Sequence, residues 1–260
     1  MFPLKDNIPN ERFALITWVL VAVNVFVYLL SIRHGGSLLG GPSDETVLHN
    51  AAIPYDFTHP GDYCTLHTTV EETAVLTQPE CKHGPYPGQI PTWETAFTAM
   101  FMHGGILHIA GNMLFLAIFG PNVEDAMGRF RFTIFYLLGG LIALAAQVLV
   151  NPNSTAPTLG ASGAIAAVLG GYIVLYPRAR ILSLVVIIFF VTIVEVPVVY
   201  LLGFWFLAQL YFGASGLTSP VGGGSGVAYF AHVGGFLFGL ALIGAFAVRR
   251  KSEPPRFPLY

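Results

Sequence analysis

Eight histidines are spread along the chain. Only His103, His108 and His232 fall inside long apolar stretches. A polar side chain kept in such a stretch is costly, which makes each one a functional candidate. Ser162 is the nucleophile candidate, in Gly160-Ala161-Ser162-Gly163, close to the start of its stretch. A helix start leaves backbone N–H groups free and carries partial positive charge, so it can hold a developing oxyanion. A serine nucleophile needs a base at about 2.6–3.2 Å, and His232 is the candidate base. His108 and Asn112 are four apart and share a helix face, where both can donate hydrogen bonds beside the Ser162 N–H. His103 falls off that face and reads as structural, bonded to the loop. A lone serine in an apolar helix is usually a packing residue; His232 and Asn112 at matched depth reverse that reading. No aspartate or glutamate is available at that depth, so the residues argue for a dyad whose imidazole is oriented by packing.

These residues need elements to carry them. The chain is 54% hydrophobic and 10% charged, against about a quarter charged in a soluble domain. The apolar residues lie in six blocks, 13–32, 95–119, 132–150, 159–176, 181–212 and 227–248. A spanning helix needs roughly 17–25 apolar residues, and a backbone in lipid must satisfy its own hydrogen bonds. The expected fold is therefore all-α, a six-transmembrane-helix bundle over residues 1–250 with a Pro-rich, disordered tail at 251–260. The first block is too long for the apolar core of a removable signal peptide. The fifth is broken by Glu195 and Pro197. It reads either as an interfacial hairpin before a helix from about Pro197 to Phe212, or as one kinked span.

Six spans put both termini and the loops near 120–131 and 177–180 on one side. That side holds ten basic residues (Lys5, Arg12, Arg129, Arg131, Arg178, Arg180, Arg249, Arg250, Lys251, Arg256), and the other holds only Arg33 and Lys82. The positive-inside rule makes the first side cytoplasmic, and the expected location is the plasma membrane. The loop 33–94, acidic and rich in Gly, Pro and Thr without a clean helical period, then faces outside as an ordered cap or lid. With this topology the fourth and sixth blocks both descend from the outer face, and Ser162 and His232 share a depth. Gly163 on one, and the G-x-x-x-G pair Gly235 and Gly239 on the other, permit close helix contact. Glu124 is expected to pair with Arg129 or Arg131, and Glu195 to sit at the inner interface. Cys64 and Cys81 allow a disulfide, a zinc set with His67 and His83, or free thiols.

Gly160-Ala161-Ser162-Gly163-Ala164 resembles the nucleophile motif of rhomboid proteases. Ala231-His232-Val233-Gly234-Gly235-Phe236 with Gly239 is similar to their last-helix motif. His103, His108 and Asn112 match the second-helix motif, and Glu124 with Gly128 the E-x-x-x-G loop. The resemblance covers about residues 10–248. It implies six helices and a serine endopeptidase that cuts transmembrane-helix substrates near the outer face. It also implies Ser162 as nucleophile, His232 as base, His108 and Asn112 on the oxyanion side, and no cofactor or metal. Some members carry a tyrosine four residues after the serine that packs on the histidine; here the position is Ala166. The partners implied are transmembrane proteins and lipids, with no nucleic acid. The alternative is a catalytically silent relative that binds and escorts membrane proteins, a class that usually lacks the serine or the histidine. A metalloprotease using His103, His108 and His232 would lack both H-E-x-x-H and a nearby carboxylate.

Overall fold

Glycine and proline, more than the length of each apolar block, decide where the helices start and stop. The computed structural model describes residues 2–71, 74–84, 90–187, 190–218 and 227–248. Helix α1 is Leu15–Ser31. The block at 95–119 splits: α4 (Thr92–Thr98) and a 3-10 turn lead to Gly104-Gly105, and α5 runs from Ile106 to Met127. Helix α5 thus continues past 119, and its chain turns at Gly128, which has φ +79°. Helix α6, Arg129–Val150, follows at once. The loop expected near 120–131 shrinks to that glycine.

The fourth block is shorter than expected. Gly160 at φ +122° stops helical propagation, and α7 spans Ser162–Leu175, with Ser162 as its first residue. Helices α8 (Val198–Thr218) and α9 (Tyr229–Phe246) complete the apolar set. Among the described residues α5, α6, α8 and α9 are by length and composition able to cross a membrane, while α1 and α7 are shorter apolar helices.

Helix α7 is the axis of the bundle. Every residue from Gly163 to Tyr172 is buried, because α5, α6 and α9 enclose it. Small side chains make this possible. A Cβ on Gly235 would strike the Gly163 carbonyl oxygen, and one on Gly239 would strike the Ala167 carbonyl. On the α6 side, a Cβ on Gly163 would stand 2.6 Å from the Ala143 Cβ. The backbones of α7 and α9 approach to a separation that only glycine allows.

The all-α expectation is corrected by two small sheets among the described residues. Strands β1 (Phe2–Asp6), β4 (Arg180–Ile187) and β5 (Phe190–Pro197) form one antiparallel sheet, in the order β1-β4-β5. The 181–194 stretch is thus the hairpin of the two readings. Its Val- and Ile-rich run suits a pleated surface, and Pro197 ends it where α8 starts. The 33–94 segment holds α2 (Asp44–Asn50), α3 (Pro54–Thr58) and a hairpin of β2 (Asp62–Glu71) and β3 (Ala74–His83). Cys64 and Cys81 are opposite each other in that hairpin, and Cys81 is disulfide-bonded, which removes it from any zinc set. His83 instead pairs with Asp62, Nδ1 to Oδ1 2.7 Å. The 251–260 tail and residues 219–226 lie outside the described residues.

Glu124 does not serve an arginine. Its carboxylate accepts from Ile16 N (3.0 Å), Thr17 N (2.7 Å) and Thr17 Oγ1 (2.8 Å). It caps the first turn of α1, where no local side chain does so. Glu195 pairs with Arg180, Oε2 to Nη1 3.7 Å.

Candidate active site

The residue before α7 is held from outside the bundle. Ala52 and Thr158 exchange backbone hydrogen bonds of 3.0 and 2.7 Å, and Gly160 N donates to Ala99 O at 2.8 Å. Helix α3 adds Thr58 Oγ1 to Pro152 O, 2.6 Å. This bracing fixes the turn at Gly160 and so sets where Ser162 emerges. No side chain caps α7, so the N–H groups of its first turn face the site without a capping acceptor.

Ser162 Oγ lies 2.7 Å from His232 Nε2. His232 is in the first turn of α9, and the tight α7–α9 contact at Gly163 and Gly235 brings the two side chains together. The far side of the ring is also held: His232 Nδ1 lies 2.7 Å from Gln209 Oε1. The Trp205 ring centroid stands 5.8 Å from that of His232 at a 36° tilt. The imidazole was expected to be oriented by packing alone; packing is present, but a hydrogen-bond acceptor on α8 is added to it. Gln209 and Trp205 were both missed. Gln209 carried a signal, because it is a polar residue in the apolar run of α8. Gln147 of α6 ties down the start of α9 by accepting from Ala231 N at 3.3 Å.

Beside the pair is a cavity of about 440 Å³, lined by Ser162 and His232 and by His108 and Asn112 of α5. His108 Nδ1 accepts from Gly104 N at 3.3 Å. The neutral ring then carries its proton on Nε2, the nitrogen nearest Gly160. A Cβ on Gly160 would stand 2.8 Å from that nitrogen and 3.5 Å from Asn112 Nδ2. Glycine is needed there for both backbone angle and space. Asn112 is 9% exposed, and its amide nitrogen has no hydrogen-bond partner among the described residues. His103 is fully buried and is not part of the cavity wall; its ring meets that of His108 edge-on at 5.1 Å. Among the described residues no three His, Cys, Asp or Glu side chains converge as metal ligands.

Among the described residues four helices are long and apolar enough to cross a bilayer, which gives this mostly helical chain the character of a membrane protein. Residues 91–249 match the Rhomboid domain family, and the chain belongs to that family. It is 33% identical over 146 residues to the mitochondrial Rhomboid protein 1 of Saccharomyces cerevisiae, covering 54% of this chain and 38% of that protein. It is 32% identical over 162 residues to the Rhomboid protease GluP of Bacillus subtilis, covering 62% and 29%. A chloroplastic rhomboid-like protein 11 of Arabidopsis thaliana is 40% identical over 75 residues, covering 29% and 26%. The chain thus aligns with well under half the length of each of these relatives.

Proposed function

We propose that this protein is an intramembrane serine endopeptidase that cuts transmembrane-helix substrates near the outer membrane face with Ser162 and His232. The observation that carries the reading is the 2.7 Å contact between Ser162 Oγ and His232 Nε2 beside a cavity. The length of α7 supports it. Its 14 residues extend about 21 Å at 1.5 Å per residue, against a hydrocarbon core of about 30 Å. A helix this short leaves its first residue below one face of the bilayer, where the cavity gives water a route to it. The excess of basic residues at the opposite end supports an extracytoplasmic Ser162 end and cytoplasmic termini; six spans and a plasma-membrane location complete the reading.

The chemistry follows from the donors present. A substrate helix unwinds locally, because its own hydrogen bonds shield the scissile carbonyl. Ser162 Oγ attacks the carbonyl carbon while its proton passes to His232 Nε2. The tetrahedral oxyanion takes hydrogen bonds from Asn112 Nδ2, His108 Nε2–H and the first-turn N–H of α7. His232 returns the proton to the leaving amine as the C–N bond breaks, which leaves an ester on Ser162. Water, deprotonated by His232, then hydrolyses that ester. The partners are transmembrane proteins and lipids.

The test is cleavage of a reporter transmembrane substrate by protein reconstituted in liposomes. Wild type should cut the reporter, and Ser162→Ala should not while keeping its thermal transition. Cleavage that survives Ser162→Ala, or a wild type that binds transmembrane segments without cutting any of a panel, would overturn the reading.

A further inference from the structure

We infer that Gln209 is a positioning residue for catalysis: its amide oxygen holds the proton of His232 on Nδ1, so that Nε2 stays free to accept from Ser162. The inference rests on the Ser–His reading above and deepens it. A neutral imidazole has one N–H and one lone pair, and the partner of each nitrogen decides where the proton sits. A general base facing Ser162 needs its lone pair on Nε2. The Nδ1–H then points at Gln209, 2.7 Å away, and must find an acceptor there. Elsewhere around the ring, Trp205 of α8 offers a face, Ser162 of α7 a hydroxyl, and His108 of α5 the other titratable group that faces it. Among the described residues no carboxylate bonds to the ring.

Gln209 is buried, at 9% exposure, and does not line the cavity. It therefore acts through His232 and not on the substrate. Trp205 and Gln209 are four apart on α8, on one helix face, so a single turn of α8 supplies both the ring platform and the acceptor. This resolves the place of Ala166, which is too small to carry the ring. The choice of a neutral amide also has a physical reason. A carboxylate at this depth would bring a buried charge that must be paired, whereas an amide oxygen selects the tautomer without one. If the amide lay the other way round, its NH2 would donate to Nδ1 and drive the proton to Nε2. Ser162 would then have no base. The two orientations are a working and a dead arrangement of the same atoms.

The experiment compares full-length wild type, Gln209→Met and Gln209→Glu in detergent micelles. Met matches the amide in length and removes the acceptor. Glu keeps an acceptor oxygen in either protonation state. Nitrogen-15 NMR of histidine-labelled protein, with the His232 signals assigned by their loss in His232→Ala, should show Nδ1 protonated in wild type and Glu and a tautomer mixture in Met. This readout does not depend on turnover, so it can succeed even if no substrate is cut, which separates it from failure of the protease reading. In the reporter assay, Met should lower kcat by about 10–10²-fold, less than the full 10²–10⁴ of general-base catalysis because one tautomer stays active, with KM within about twofold. Glu should restore most of the rate. A wild-type His232 protonated on Nε2, an unchanged tautomer in Met, or equal loss of kcat in Met and Glu would overturn the inference.

Discussion

Helix α5 carries buried polar residues at both ends, α7 a half-buried serine at one end and a buried tyrosine at the other, and the two ends are finished differently. At the end remote from Ser162, Asp6 Oδ2 accepts from Asn122 Nδ2 (2.6 Å) and Tyr172 Oη (2.8 Å). Tyr176 Oη donates to Asn122 O at 3.2 Å, and Asp125 Oδ2 accepts from Glu11 N at 2.8 Å. Together with the three bonds on Glu124, each of these donors meets an acceptor, and the network ties the N-terminal segment to the bundle. At the Ser162 end the Asn112 amide nitrogen is equally buried and has no partner among the described residues, and the start of α7 carries no side-chain cap. An unpaired buried donor costs about 1–3 kcal/mol. Matched groups hold the fold together; donors left open beside a nucleophile are placed for a charge that exists only during reaction.

That contrast can be broken by exchanging what each end does. The largest effect is expected from Asn112→Leu, which removes an open donor while keeping apolar volume. The kcat for the reporter substrate should fall by about 10²–10³-fold, and the thermal transition should hold or rise. A lowered transition with an intact kcat would reverse the assignment of the Ser162 end. Next is Asp6→Ala, which takes the acceptor from the Tyr172 hydroxyl and leaves the Asn122 amide its longer bond to Ile8 O at 3.2 Å. We expect a loss of about 2 kcal/mol, or about 4–8 °C in Tm for a domain of this size, with kcat per folded molecule within about twofold. Smallest is Glu124→Gln, which keeps one acceptor for the start of α1. It should cost about 1 kcal/mol, read as a Tm lower by a few degrees, with cleavage unchanged. If Glu124→Gln altered kcat more than Tm, the remote end would not be structural.

Much of this was legible from residue type and spacing. The Gly-rich turns and small faces around Ser162 and His232 betray a close crossing because glycine in a helix is costly unless a backbone must approach. His108 and Asn112 were visible as polar residues one turn apart in an apolar run. Gln209 was not, because the third member of such a set is expected to be a carboxylate, and a neutral acceptor can do the same orienting. Glu124 was misread because charge pairing between near neighbours is the simple expectation, while its partners, Ile16 and Thr17, are over 100 residues away. The strands over 180–197 were legible only as one of two readings, for a related reason. A run of Val, Ile and Phe is apolar whether it spans a bilayer or pleats, and Glu195 and Pro197 marked the break without choosing between the two. The late start of α7 follows from the left-handed backbone of Gly160, which composition alone does not announce.

The central claim is that Ser162 is a nucleophile activated by His232. A fluorophosphonate probe, followed by peptide mass spectrometry of the labelled membrane protein, tests it most directly. The account predicts one phosphonyl adduct, on Ser162, in wild type and none in His232→Ala of equal Tm. An unlabelled Ser162 in folded wild type, or undiminished labelling in His232→Ala, would contradict it.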